Sequence, residues 1–198
     1  MYDYHITLGI LAVLVGFIGE FLYIRDLYKK NIKPHPFSWL GWGLLDVVIF
    51  SAQVVKGAGA GSWVIGVAAV VNIAIALISF RQGERRIVWS DWICFLGTLA
   101  GIALWAATSE PFFAVLIASV VNYIAFIPTF RKAYLRPEEE SLNIFVFDIV
   151  KFMLGILALQ VLNPTTALFP AASALSNVLF VTMVLLRRKK LGRLSGIT

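Results

Sequence analysis

The chain is poor in charge, cysteine and histidine. Of its 198 residues 14% are charged; one is cysteine and two are histidine. The lone Cys94 excludes an internal disulfide, and in its apolar run it reads as a small hydrophobe. His5 and His35 are too few to build a metal cluster with it, and the H-E-x-x-H and G-x-S-x-G motifs are missing. Isolated carboxylates do not make a catalytic centre, so neither enzyme activity nor a metal or cofactor is expected. The opening residues MYDYH carry no basic stretch, and no cleavage site follows the first apolar run. That run is expected to insert in a membrane and stay there.

What the chain has is apolar surface. It is 60% hydrophobic with a mean hydropathy of +0.85. A soluble domain of this size cannot bury so much. The apolar runs are continuous over about 17–22 residues, which excludes the alternating strands of a β-barrel. The expected class is an all-α integral membrane protein with seven spans: 6–24, 37–56, 62–80, 91–107, 111–130, 142–161 and 166–186. The fourth is the shortest of these.

The net charge of +6 does not point to nucleic acid, because its placement follows the loops. Fifteen of the seventeen Lys and Arg lie in alternate connections or the tail: 25–33, 81–86, 131–136 and 187–193. The opposite side has only Lys56, and Lys151 falls inside a span. The positive-inside rule then places the N-terminus outside and the C-terminus in the cytoplasm. The tail RRKKLGR is also suited to anionic lipid.

The chain repeats itself. Residues 12–30 align with 118–136 at an offset of 106, pairing Ala12 with Ala118, Arg25 with Arg131 and Tyr28 with Tyr134. Gln53-Val54 meets Gln160-Val161 at 107, and Asn72 meets Asn177 at 105. A register held over three spans implies two copies of a three-helix unit. An odd unit ends on the side opposite its start, so one extra helix must return the chain. The plan is 3+1+3 with parallel repeats: a first triple-helix bundle at 1–86, a linker helix at 87–109 and a second bundle at 110–198. Carriers of this symmetry bind their solute between the halves near the midplane.

This plan resembles the SWEET and PQ-loop (MtN3-like) superfamily of seven-helix membrane transporters. The resemblance covers nearly the whole chain. It rests on the architecture, on Asn72 and Asn177 in the third helix of each repeat, and on Pro128-Thr129, which is similar to the Pro-Gln dipeptide of the PQ-loop group. The first repeat has Leu22-Tyr23 at that place, and its first helix has no proline. The resemblance implies alternating access, a hinge at Pro128 and a sugar as the solute. The related PnuC vitamin carriers share the plan, and Trp39 and Trp42 would suit an aromatic pocket of that sort. KDEL receptors use the same fold to bind cargo without moving it.

The residues themselves mark a site. An amide has no partner in lipid, so Asn72 and Asn177 must face a neighbouring helix or a cavity. There they either bind solute hydroxyls or join helix to helix. Asn122 lies at mid-depth opposite Gly16 of the first repeat. Gln53 and Gln160 fit the outer wall or the membrane interface. Trp39, Trp42 and Trp63 are pocket aromatics or interfacial anchors. Glu20, Asp46, Asp148 and Lys151 lie within spans and must face the interior. Asp148 and Lys151, three apart, can pair. Asp46 has no sequence-local partner and meets Met153 in the repeat, so it breaks the symmetry. Asp46 and Glu20 are candidates for proton coupling, or else for interhelical bonds. The expected partners are a small polar solute and the bilayer, without nucleic acid; a homo-oligomer fits the same chain.

Overall fold

The computed structural model describes residues 3–107 and 111–195. Among them are seven α-helices: α1 (Tyr4–Tyr28), α2 (Pro36–Val55), α3 (Trp63–Gln82), α4 (Trp89–Ala106), α5 (Pro111–Leu135), α6 (Asn143–Leu157) and α7 (Pro164–Ser195). Two 3₁₀ turns, Gly59–Ser62 and Pro137–Glu139, sit in the connections, and no strand occurs among the described residues. The boundary drawn at 109/110 lies outside the described residues.

Local chemistry sets the helix ends. Asp3 caps α1 by accepting from the backbone N–H of His5. Pro36 and Pro164 open α2 and α7, where a missing N–H costs nothing. Asn163 and Thr166 form a reciprocal cap: each side-chain oxygen accepts from the other's backbone N–H at 3.1 Å.

Five helical stretches are long and apolar enough to cross a membrane: Tyr4–Tyr28, Pro36–Val55, Gly59–Gln82, Val115–Leu135 and Pro164–Gly192. Their outward faces are apolar, with Phe21 68%, Val70 70% and Leu186 63% exposed, as lipid contact requires and water does not favour. α4, expected to be the shortest, has 18 residues and is not. The shortest helix is α6, whose 15 residues rise roughly 22 Å against about 30 Å of hydrocarbon. The sequence reading ran this helix to 161. It stops at Leu157, and the non-helical Ala158 and Leu159 are buried beyond it. There Leu159 packs so close to Gly61 that a Cβ on the glycine would stand 2.7 Å from Leu159 Cδ2.

The main helix contacts come in matched sets. α1 touches α3 as α5 touches α7; α2 touches α3 as α6 touches α7; α1 touches α6 as α5 touches α2. α4 rests on α5 and α2. Burial follows the same pairing. The buried residues of α1 are Gly9, Ala12, Gly16, Gly19, Glu20, Tyr23 and Leu27. Each, moved on by 106, lands on a buried residue of α5: Val115, Ala118, Asn122, Ala125, Phe126, Thr129 and Ala133. Between α3 and α7 an offset of 105 does the same for Val64 and Phe169, Ala69 and Ala174, and Ile75 and Phe180.

Two apolar clusters fill the interior. One gathers Tyr23, Trp39, Trp42, Phe126, Phe145 and Phe180 near the basic loops. The other gathers Leu45, Ile49, Val64, Val115, Phe152 and Phe169 towards the opposite end. A polar layer separates them.

Candidate functional site: a polar layer between two apolar clusters

The layer starts from one face of α2. Trp39, Trp42, Asp46, Ile49 and Gln53 recur every three or four residues and are all buried. Gly43 lets α3 come close, since a Cβ there would stand 2.7 Å from Ile73 Cγ1 and 3.0 Å from the Ile73 backbone nitrogen. At that separation the Asn72 amide donates to Asp46 Oδ2 at 2.8 Å. Among the described residues this is the one hydrogen bond the Asp46 carboxylate makes, and no cation stands within ion-pair distance of it.

α6 and α1 supply the neighbouring charges. Lys151 Nζ lies 2.7 Å from Asp148 Oδ1 and 3.3 Å from Glu20 Oε1. Gly16 leaves room for the lysine stem, whose Cδ would be 3.0 Å from a Cβ added there. Two carboxylates therefore share one buried ammonium. The pairing expected from the i, i+3 spacing is present, and Glu20 joins it from another helix.

α5 and α7 complete the layer. Asn122 Nδ2 donates to Ser176 Oγ at 3.2 Å, and Asn177 Nδ2 donates to the Ser173 carbonyl at 2.8 Å. Among the described residues, Asn177 Oδ1 and the Trp42 indole N–H are buried without a hydrogen-bond partner. A cavity of about 30 Å³ opens here, lined by Trp39, Trp42, Asp46, Asn72, Asn122, Phe126, Phe145, Asp148, Phe152, Ser173 and Asn177. Its size admits about two water molecules.

Seven of the residues singled out from sequence line the cavity: Asn72, Asn122, Asn177, Trp39, Trp42, Asp46 and Asp148. Glu20 and Lys151 are not in its lining; Lys151 pairs with Glu20 and with the lining residue Asp148. Gln53 is elsewhere, donating to the Thr166 carbonyl at 3.1 Å and joining α2 to the start of α7. Gln160 is exposed beyond the end of α6. The Gln53–Gln160 match at 107 is therefore no structural equivalence. At 106, buried Gln53 meets buried Leu159, and Asp46 meets Phe152 rather than Met153. Pro128 lies inside α5, which continues through it, and the Thr129 hydroxyl beside it is buried and unpartnered. Trp63 is 42% exposed and away from the cavity.

Sequence reading missed Phe126, Phe145, Phe152 and Ser173. A signal existed for each. Phe126 lies 106 residues after Glu20, Phe145 and Phe152 flank Asp148 on one helical face, and Ser173 lies one turn before Asn177.

At the basic-loop end the charges are paired rather than merely placed. Lys33 meets Glu139 at 2.9 Å, Arg136 meets both Glu84 and Glu139, and Arg131 meets Asp91 at 2.7 Å. Tyr23 donates to Glu140 at 2.7 Å, and buried Lys132 pairs with the same carboxylate. His35 is fully buried, its Nε2 3.2 Å from Asp91 Oδ2. Burial holds the His35 imidazole below its ordinary pKa, against the pull of Asp91. Burial acts to raise the Glu84 carboxyl, but the Arg86 backbone N–H and Arg136 together bring it below its usual range.

The chain matches no protein-family model, no curated protein and no solved structure.

Proposed function

We propose that the chain is a membrane carrier for a small polar solute, working by alternating access between two three-helix bundles. In this reading α1–α3 and α5–α7 are the parallel repeats, α4 is the linker, the N-terminus is outside and the C-terminus is cytoplasmic. The buried stripe of α1 that transposes onto α5, and the matched helix contacts, support the repeat. The loops rich in Lys and Arg meeting at one end support the orientation.

The observation that carries the reading is the polar layer itself. Among the described residues it holds an unpaired donor, Trp42 Nε1, and an unpaired acceptor, Asn177 Oδ1, on two side chains that line a cavity between apolar clusters. Buried polar groups in proteins generally find partners, so such a pair in a cavity wall fits a solute that supplies both an acceptor and a donor. A sugar hydroxyl does so, and the resemblance makes a sugar the first candidate. The carboxylates of Asp46 and Asp148 in the same wall favour a second reading, a proton-coupled amino acid or vitamin carrier.

Labelled-solute flux into proteoliposomes tests both. A panel of sugars, amino acids and nucleosides is offered with and without an inward proton gradient. Equilibrating sugar flux that fails in Asn72→Ala and Asn177→Ala supports the first reading. Accumulation that needs the gradient supports the second. Binding without flux of any solute would replace the carrier by a receptor.

A further inference from the structure

Resting on the carrier reading, we infer that the cavity takes a small organic cation, an ammonium with a hydrogen-bond acceptor close to it and an apolar body. Asp46 carries the argument. It is 4% exposed, lies in the cavity wall and has only the neutral Asn72 amide for a partner. The nearest ammonium, Lys151, is held by Asp148 and Glu20. A carboxylate at that depth ionises only with a counter-charge at hand, and among the described residues no cation stands within ion-pair distance of Asp46.

The rest of the wall fits the same solute. Trp39, Trp42, Phe126, Phe145 and Phe152 present aromatic rings to the cavity, and such rings attract an ammonium through their negative faces. The protein already makes one such contact, with Lys151 Nζ 5.3 Å from the Phe152 ring centroid. Asn177 Oδ1 accepts a second ammonium N–H, and the Trp42 N–H donates to the solute's hydroxyl or carbonyl oxygen. A neutral polyol satisfies the last two groups and leaves Asp46 unpaired. A cation satisfies all three. The cavity must widen to admit it, by parting of the apolar clusters above and below.

The test uses a matched pair of probes, 2-amino-1-phenylethanol and 1-phenylethane-1,2-diol, which differ by an ammonium in place of a hydroxyl. Binding to the full chain in detergent is measured by calorimetry at pH 7, with glucose as a third probe. The amine is expected to bind at least about 30-fold more tightly than the diol, the usual scale for a buried charge pair. Asp46→Asn is expected to abolish this preference and Asp46→Glu to keep it. Equal binding of amine and diol, binding of glucose but not of the amine, or an unchanged preference in folded Asp46→Asn would overturn the inference. The wild-type comparison stands even where a variant does not fold. Counterflow of the amine in proteoliposomes separates the two levels. Amine binding without flux keeps the cation site and removes the carrier; glucose flux without amine binding keeps the carrier and removes the cation.

Discussion

Lys151 shows how much a single side chain can hold. It is the shared counter-ion of Asp148 and Glu20, and it joins α6 to α1 in the interior. Removing one partner of a buried pair leaves the other uncompensated, at a cost of about 3–5 kcal/mol. Lys151→Met is expected to lower thermal stability in detergent on that scale. The triple change Lys151→Met, Glu20→Gln, Asp148→Asn should recover most of it. His35 makes a different prediction, of pH dependence. Its folded pKa lies below the ordinary 6.5, so between the two values the unfolded chain binds more protons. Stability therefore rises with pH through that window and falls as pH drops below about 6.5. Melting curves from pH 8 to pH 5 should show this loss, and His35→Gln should reduce it. The Glu84 contribution is separable, because a lowered carboxyl loses its stabilising effect only on acidification below about 4.5.

At the scale of the helix, close approach decides the site. The Asp46–Asn72 bond exists because α2 and α3 meet at Gly43, where the nearest obstacles include the Ile73 backbone. Backbone cannot swing aside, so Gly43→Ala is expected to destabilise by about 1–3 kcal/mol. A Cβ on Gly97 would meet only Ile124 Cγ2, at an ordinary 3.7 Å, so Gly97→Ala should change the melting temperature little. The same scale explains why α6 was read too long. Hydropathy continues past Leu157 into Ala158, Leu159, Val161 and Leu162, and hydropathy alone does not mark where a helix ends. A glycine in the sequence offers room for close packing without saying which helix takes it. Which neighbour each admits is a property of the assembled helices.

At the scale of the molecule, the orientation and the repeat make one prediction together. In a Cys94→Ala background, a cysteine at Lys56 should react with an impermeant maleimide from outside intact cells. One at Lys190 should react only after permeabilisation. The reverse pattern would overturn the proposed topology.

The apolar runs, the alternation of basic loops and the near-constant offset between halves are written in the chain. They follow from local composition, because a span must satisfy its own backbone and bury no loose charge in lipid. That is why Asn72, Asn122, Asn177 and Asp46 could be picked out in advance: each is polar where only an interior is tolerable. Their partners could not be. Asp46 with Asn72, Lys151 with Glu20 and Asn122 with Ser176 join residues 26, 131 and 54 positions apart. So do the aromatic rings that close over them, and so does the exclusion of Gln53 and Gln160 from the cavity. A hydrogen bond depends on a few tenths of an ångström between helices, and that distance is set by which side chains are absent at the crossing. The sequence determined that this protein has a polar layer in an apolar interior. Only the packing of its helices decided which of those groups pair with each other and which are left facing the cavity.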